Sequence, residues 1–108
     1  MLGMGTKVEL LSVYQIADRI VDESLAYRAA GELELVKKAW DCSNAEAARL
    51  NADRANAEII RAGLPCPQEI LQEHERATQR AHAACEEFAR EYDAFRERHA
   101  RRAASGLE

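Results

Sequence analysis

The sequence predicts an all-α fold: a three-helix antiparallel bundle whose second and third helices form a long coiled-coil-like hairpin. Three observations predict it. Neither Glu32–Ala62 nor Gln68–Ser105 contains a Gly or Pro, and between them lies Gly63-Leu64-Pro65-Cys66-Pro67. Gly just past one helix and Pro at the start of the next punctuate a turn between helices. On both sides of that turn apolar residues recur at about 3.5-residue spacing, the period of helices that wrap on one another.

The first helix is expected over about 7–30. Thr6 can cap it, with Glu9 three residues on as a capping-box partner. Leu10, Val13, Ala17, Ile20, Ser24 and Tyr27 form its apolar stripe, flanked by Leu11, Ile16, Val21 and Leu25, so it should lie on other helices along its length. Gly31 then ends it. The alternative is one continuous rod from Thr6 to Ala62, because an interior Gly costs a helix only about 1 kcal/mol.

The second helix is expected over about 32–62, with a seam of Leu33, Val36, Trp40, Ser43, Ala47 and Leu50 that shifts to Ala52, Ala55, Ile59 and Ala62. The third is expected over about 67–104, with a seam of Ile70, His74, Ala77, Ala81, Ala84 or Cys85, Phe88, Tyr92, Phe95 and His99. At about 1.5 Å per residue these arms are about 45 and 55 Å long. A bend centred near Leu64–Cys66 sets Ile60 against Ile70, Ala52 against Thr78, Ala48 against His82 and Ala45 against Cys85, with Trp40 and Cys42 in the layer of Phe88 and Tyr92.

Composition bounds the function. The 108 residues make one domain, 1–108, with a thin core. Residues 1–5 and 105–108 are expected to fall outside the fold, Leu107-Glu108 reading as a cloning remnant. Hydrophobic residues make up 47% but aromatics only 6%, so much of the apolar content is Ala, which forms helix readily and buries little. Such helices either pack very closely or finish their packing on another chain. A net charge of −4 with both signs interspersed argues against a general nucleic-acid binder. No apolar run reaches the ~18 residues that would suggest a membrane span. Three cysteines without a recognisable spacing do not make a secreted disulfide scaffold, so the expected location is cytoplasmic. The Ala- and Arg-rich composition suggests a bacterial or phage origin.

Function is sought where surface stays uncovered. Folded back at Gly31, the first helix reaches only to about Asn51–Asp53, because about 24 residues cannot cover arms of about 31 or more. The hairpin tip, Ala52–Ala62 with Pro67–Ala77, would project as two bare helices carrying Ile59, Ile60, Leu64, Ile70 and Leu71. Branched aliphatics on a bare tip are a liability in a monomer and an interface in an oligomer. The expected function is therefore a non-enzymatic interaction module, an adaptor, chaperone-like or regulatory scaffold, that pairs as a homodimer or with another helical protein.

Signs of chemistry are weaker. His74 and His82 share a face eight residues apart, too far for the three- or four-residue spacing of helix metal pairs, and no cofactor is expected. Cys42 and Cys85 fall in neighbouring layers, but register alone does not promise the Cα approach of about 7 Å that a disulfide needs, so they read as small buried thiols, and Cys66 in the turn as the exposed, reactive one. Asp18, Asp22, Glu23 and Asp41 read as a solvated face. The basic tail Arg96–Arg102 suits the C-terminal end of a helix dipole, with an acidic partner as the alternative. Two further functions were weighed. Leu11–Ala30 resembles a degenerate helix-turn-helix with Ala17 and Ile20 in place, which would need Arg19, Arg28, Lys37 and Lys38 on one face. A ligand- or metal-binding protein would be built around Trp40, His82 and Cys85, with Phe88, Tyr92 and Phe95 lining a pocket.

Overall fold

The computed structural model describes residues 12–105, and the side chains of residues 12–102. Among the described residues there are four helices and no strand: α1 (Val13–Asp22), α2 (Ser24–Ala29), α3 (Leu33–Arg61) and α4 (Gln68–Ser105). The fold is all-α, and α3 and α4 pack against each other as the long hairpin.

The first expected helix differs in its limits. Its cap at Thr6 and start at Lys7 lie outside the described residues. Ser12 is extended (φ −72°, ψ 162°) and caps α1. Its hydroxyl accepts from the Gln15 N–H at 3.1 Å, and its own N–H donates to Gln15 Oε1 at 2.8 Å. This reciprocal pair satisfies two amides that a helix start leaves without partners. At Glu23 the backbone departs from helix (φ −106°, ψ 27°), dividing α1 from α2 between Asp22 and Ser24, two weak helix formers.

Both interhelix turns use the same device. Gly31 (φ +86°) and Gly63 (φ +73°) adopt the left-handed conformation that side chains oppose. Glu32 N–H reaches back to Tyr27 O at 2.9 Å and Gly31 N–H to Arg28 O at 3.0 Å; Leu64 N–H reaches Ile59 O at 3.3 Å and Gly63 N–H reaches Ile60 O at 3.0 Å. These are paired Schellman bonds, which end a helix and satisfy its last carbonyls. The chain thus turns at Gly31 and does not form a rod. After Gly63 the backbone runs without helix to Pro67, whose carbonyl accepts from the Leu71 N–H at 3.2 Å to open α4.

The core lies at the base of the hairpin, where α1 and α2 cover it. Ala17, Ile20, Leu35, Val36, Ala39, Cys42 and Phe88 are buried together, with Ile16, Val21, Tyr27, Tyr92 and Phe95 packed around them. Aromatic rings extend it along α4: Phe88 on Tyr92 at 5.8 Å, Tyr92 on Phe95 at 6.1 Å, and Tyr27 edge-on to Phe95 at 5.7 Å. Between Glu46 and Arg80, by contrast, only Ala77 is buried. The result is long, 66 × 38 × 20 Å, with a radius of gyration of 18.2 Å, against about 13 Å for a compact chain of this length.

Two expectations about the hairpin are corrected. The register is displaced by about one helical turn: Cys42, not Ala45, stands opposite Cys85, and Lys38 pairs with Glu87. The residues Leu64–Pro67 all belong to the α4 side of the bend, which moves its centre toward Gly63. The seam of α3 holds in part, Val36 and Ser43 being buried as expected. Leu35, Ala39 and Cys42 face inward, while Leu33, Trp40 and Leu50 are exposed. Trp40 therefore does not join the Phe88–Tyr92 layer. The backbones meet at a Cα–Cα distance of 4.8 Å at Cys42–Cys85, which, with Cα atoms about 2.3 Å from each axis, sets the axes about 9 Å apart, within the usual 8–10 Å. Ala and Cys fit such a gap and indole does not.

Candidate functional site

The hairpin tip is built by Gly63. Its left-handed turn reverses the chain directly after Ile59 and Ile60 and throws Leu64 outward. Ile60 (64% exposed), Leu64 (62%) and Leu71 (45%) are the exposed aliphatics of the tip. Ile59 and Ile70 are half-buried within the hairpin. The five residues singled out from the sequence thus divide into three that face solvent and two that help close the arms.

Little else holds the tip. Cys66 is half-buried and free, its thiol donating to Asn56 Oδ1 at 3.2 Å. His74 meets the Asp53 carboxylate across the arms. Asp53 is also bound by Arg49 at 2.8 Å, and Arg49 holds Glu46 at 2.8 Å, so one polar chain crosses the hairpin where the covered part ends. The Arg49 hydrogen bond pulls the Glu46 carboxyl below its usual value of 4.5 against the opposing effect of burial. Ser12, Val13 and Tyr14 lie at this same level, forming a groove of about 470 Å³ with Arg49, His82 and Cys85. The described part of the first helix therefore begins beside Glu46 and Arg49 of α3.

The cysteines are a further correction. Cys42 and Cys85 are joined in a disulfide, and neither is a free thiol. The expected register set the two in neighbouring layers but not opposite each other, because pairing depends on exact register and on how closely the arms approach. The signal that was present is the Ala-rich surroundings of both cysteines, which permit that approach.

The other candidates separate. His82 is exposed and pairs with Glu86 at 3.1 Å, one turn away on its own helix, so His74 and His82 do not converge. Among the described residues no three His, Cys, Asp or Glu side chains are grouped to hold a metal ion. Asp18, Asp22, Glu23 and Asp41 are exposed. Asp18 accepts from the buried Ser43 hydroxyl at 2.6 Å and pins α1 to α3. In the basic tail, Arg98 bonds the half-buried Glu32 at 2.6 Å, and His99 lies 3.7 Å from the same carboxylate. Arg96 sits over the Tyr92 ring at 5.9 Å. Part of the tail therefore braces the Gly31 turn. The helix-turn-helix stretch folds with Ala17 and Ile20 buried, but α2 has only 6 residues, and Lys38 is drawn to Glu87 at 2.7 Å. A shallow groove lies on the far side of the hairpin, floored by Ala45, Ala48, Ala83 and Ala84 beside the Lys38–Glu87 pair. The sequence reading missed it, because Ala at these positions looked like seam filler.

Comparison with protein-family models, with curated proteins and with solved structures finds no match for the chain. Among the described residues no helix is long and apolar enough to cross a membrane.

Proposed function

We propose that this protein is a non-enzymatic helical interaction module that self-associates through its hairpin tip and acts as an adaptor, chaperone-like or regulatory scaffold. One observation carries the reading: Ile60, Leu64 and Leu71 are exposed together on a tip that buries little of its own. Aliphatics gathered on such a surface are the usual mark of a contact site. Full burial of such a side chain is worth about 1.5–3 kcal/mol. Each of these is already partly covered, so about 1–2 kcal/mol apiece from two copies gives roughly 6–12 kcal/mol before the cost of association. That points to a weak dimer, micromolar at best. A different helical protein presenting a matching apolar face would use the same surface.

The setting is also a proposal. Cysteine usage is one ground for expecting a cytoplasmic location. With Cys42 and Cys85 bridged, the chain has one disulfide and one thiol, and that ground for a reducing compartment no longer holds.

The test is sedimentation equilibrium across about 1–500 µM, a range that spans micromolar association. Self-association should appear within it and be abolished by Ile60→Asp with Leu71→Asp, with helicity by circular dichroism unchanged. Both side chains point to solvent, so the substitutions should spare the fold. A monomer throughout, or a dimer indifferent to both substitutions, removes the proposal.

A further inference from the structure

The disulfide sits at a boundary. On one side of it three layers of helix bury Ile20, Leu35, Val36, Ala39 and Phe88. On the other, the arms run out to Gly63 with only small residues buried, Ser43, Ala45, Ala77 and Ala81. Cys42 and Cys85 are 43 residues apart in sequence, and the loop they close contains the whole tip. A helix pair with so little buried between its arms has weak grounds to stay closed. A covalent link at its base removes much of the freedom the arms would gain by separating.

The two sulfurs are not equally placed. Cys42 is fully buried, whereas Cys85 is half-buried and forms part of the groove beneath Ser12–Tyr14. Arg49 and His82 line that groove and would draw in an anionic thiolate, although Glu46 lies there too.

From these placements we infer that Cys42–Cys85 is a thiol-exchangeable clamp on the tip, with Cys85 as the sulfur that incoming thiols attack. A small thiolate enters the groove and bonds to Cys85 Sγ. The Cys42–Cys85 bond breaks, and Cys42 leaves as thiolate and takes up a proton. A second thiolate then attacks the small-molecule sulfur of the mixed disulfide. It releases the oxidised small disulfide and leaves Cys85 reduced. Two thiols are oxidised for each protein disulfide reduced. The reduced tip opens and recloses more often, while the base keeps its core. The clamp acts within a single chain and does not depend on self-association.

The test uses full-length Cys66→Ser protein, so that only this pair can react. Purified without reductant, it should titrate no free thiol, and after dithiothreitol it should titrate two. Hydrogen–deuterium exchange is then compared in the two states at a dilution where sedimentation shows single copies. Amides of residues 50–77 should exchange about tenfold or more faster when reduced, and those of 13–45 and 86–102 should change by less than about twofold. Cys42→Ala with Cys85→Ala should match the reduced protein whether or not dithiothreitol is present. Brief exposure to 2-mercaptoethanol followed by acid quenching should leave the adduct on Cys85. Two thiols before reduction, equal exchange in both states, a uniform loss of protection along the chain, or an adduct on Cys42 would each overturn the inference.

Discussion

Ala39→Leu tests whether the base of the hairpin is as tightly packed as the cross-link implies. Ala39 is fully buried in the same cluster as Ala17, Ile20, Cys42 and Phe88. It lies one helical turn from Cys42, where the arms come within 4.8 Å between Cα atoms. Leu adds three carbons and reaches about 2.5 Å beyond Ala, into a site already filled by Ile20 and Phe88. Helix propensity is nearly equal for the two residues, so packing decides the sign. Overpacking of this kind costs about 1–3 kcal/mol, a large share of the roughly 5–15 kcal/mol that holds a domain of this size. The assay is urea unfolding followed by circular dichroism. The midpoint should fall with its slope unchanged, and the melting temperature should drop by roughly 5–20 °C. Ala47→Leu on the exposed face of the same helix is the control, expected to stay within about 0.5 kcal/mol. If Ala39→Leu were neutral or stabilising, the site would have spare volume, and the close-seam account of why Cys42 meets Cys85 would fail.

Gly63→Ala should cost about 1–2 kcal/mol in the same assay, because φ is +73° there and no atom lies within 4 Å of the added Cβ, so the penalty is purely conformational. An unchanged midpoint would mean that the turn is not left-handed. Arg98→Ala strands the half-buried Glu32 carboxylate and should cost about 1–3 kcal/mol, while Arg98→Met with Glu32→Gln should cost less than the single change. A double variant weaker than the single would refute that account. Thermal stability should be flat near neutrality and fall at both extremes. Hydrogen bonds from Arg49, Arg76 and Lys38 hold the Glu46, Glu73 and Glu87 carboxyls below 4.5, so their contribution is present above that pH and is lost as pH falls through the lower folded values. Lys38 is raised above 10.5 by Glu87 and Tyr27 above 10.0 by burial, so their contributions persist below those values and fade above them. Glu73 and Glu87 are exposed, so their share of the acid slope should be shallow. A melting temperature still climbing between pH 6 and pH 9, measured by calorimetry, would contradict this assignment.

Local chemistry was legible residue by residue. The absence of breakers in 32–62 and 68–105, Gly31 and Gly63 as helix ends, and Pro67 before α4 all depend on a few neighbouring residues. The α4 seam from Ala77 through Phe88 to Phe95 was legible too, since its partners are apolar in either register. The α3 seam was legible only at Val36 and Ser43, which are buried as expected. Leu33–Trp40–Ala47 and Leu35–Ala39–Cys42 both recur at helical spacing, and size alone favours the bulkier set. The aliphatics of the tip were legible as a group, because they flank a Gly at the end of a long arm. Their division into exposed Ile60, Leu64 and Leu71 and half-buried Ile59 and Ile70 was not.

The amino-acid order by itself determined the two long helices of the hairpin and the reversal points at Gly31 and Gly63. Each of these follows from backbone propensities acting over a few residues. The tertiary structure decided which face of α3 turns inward, which cysteines meet and whether Trp40 is core or surface. Those outcomes depend on how near two backbones come and on a displacement of one turn, and neither is encoded within a single helix. Small side chains at Ala39 and Cys42 let the arms close, and that approach placed the sulfurs within bonding reach.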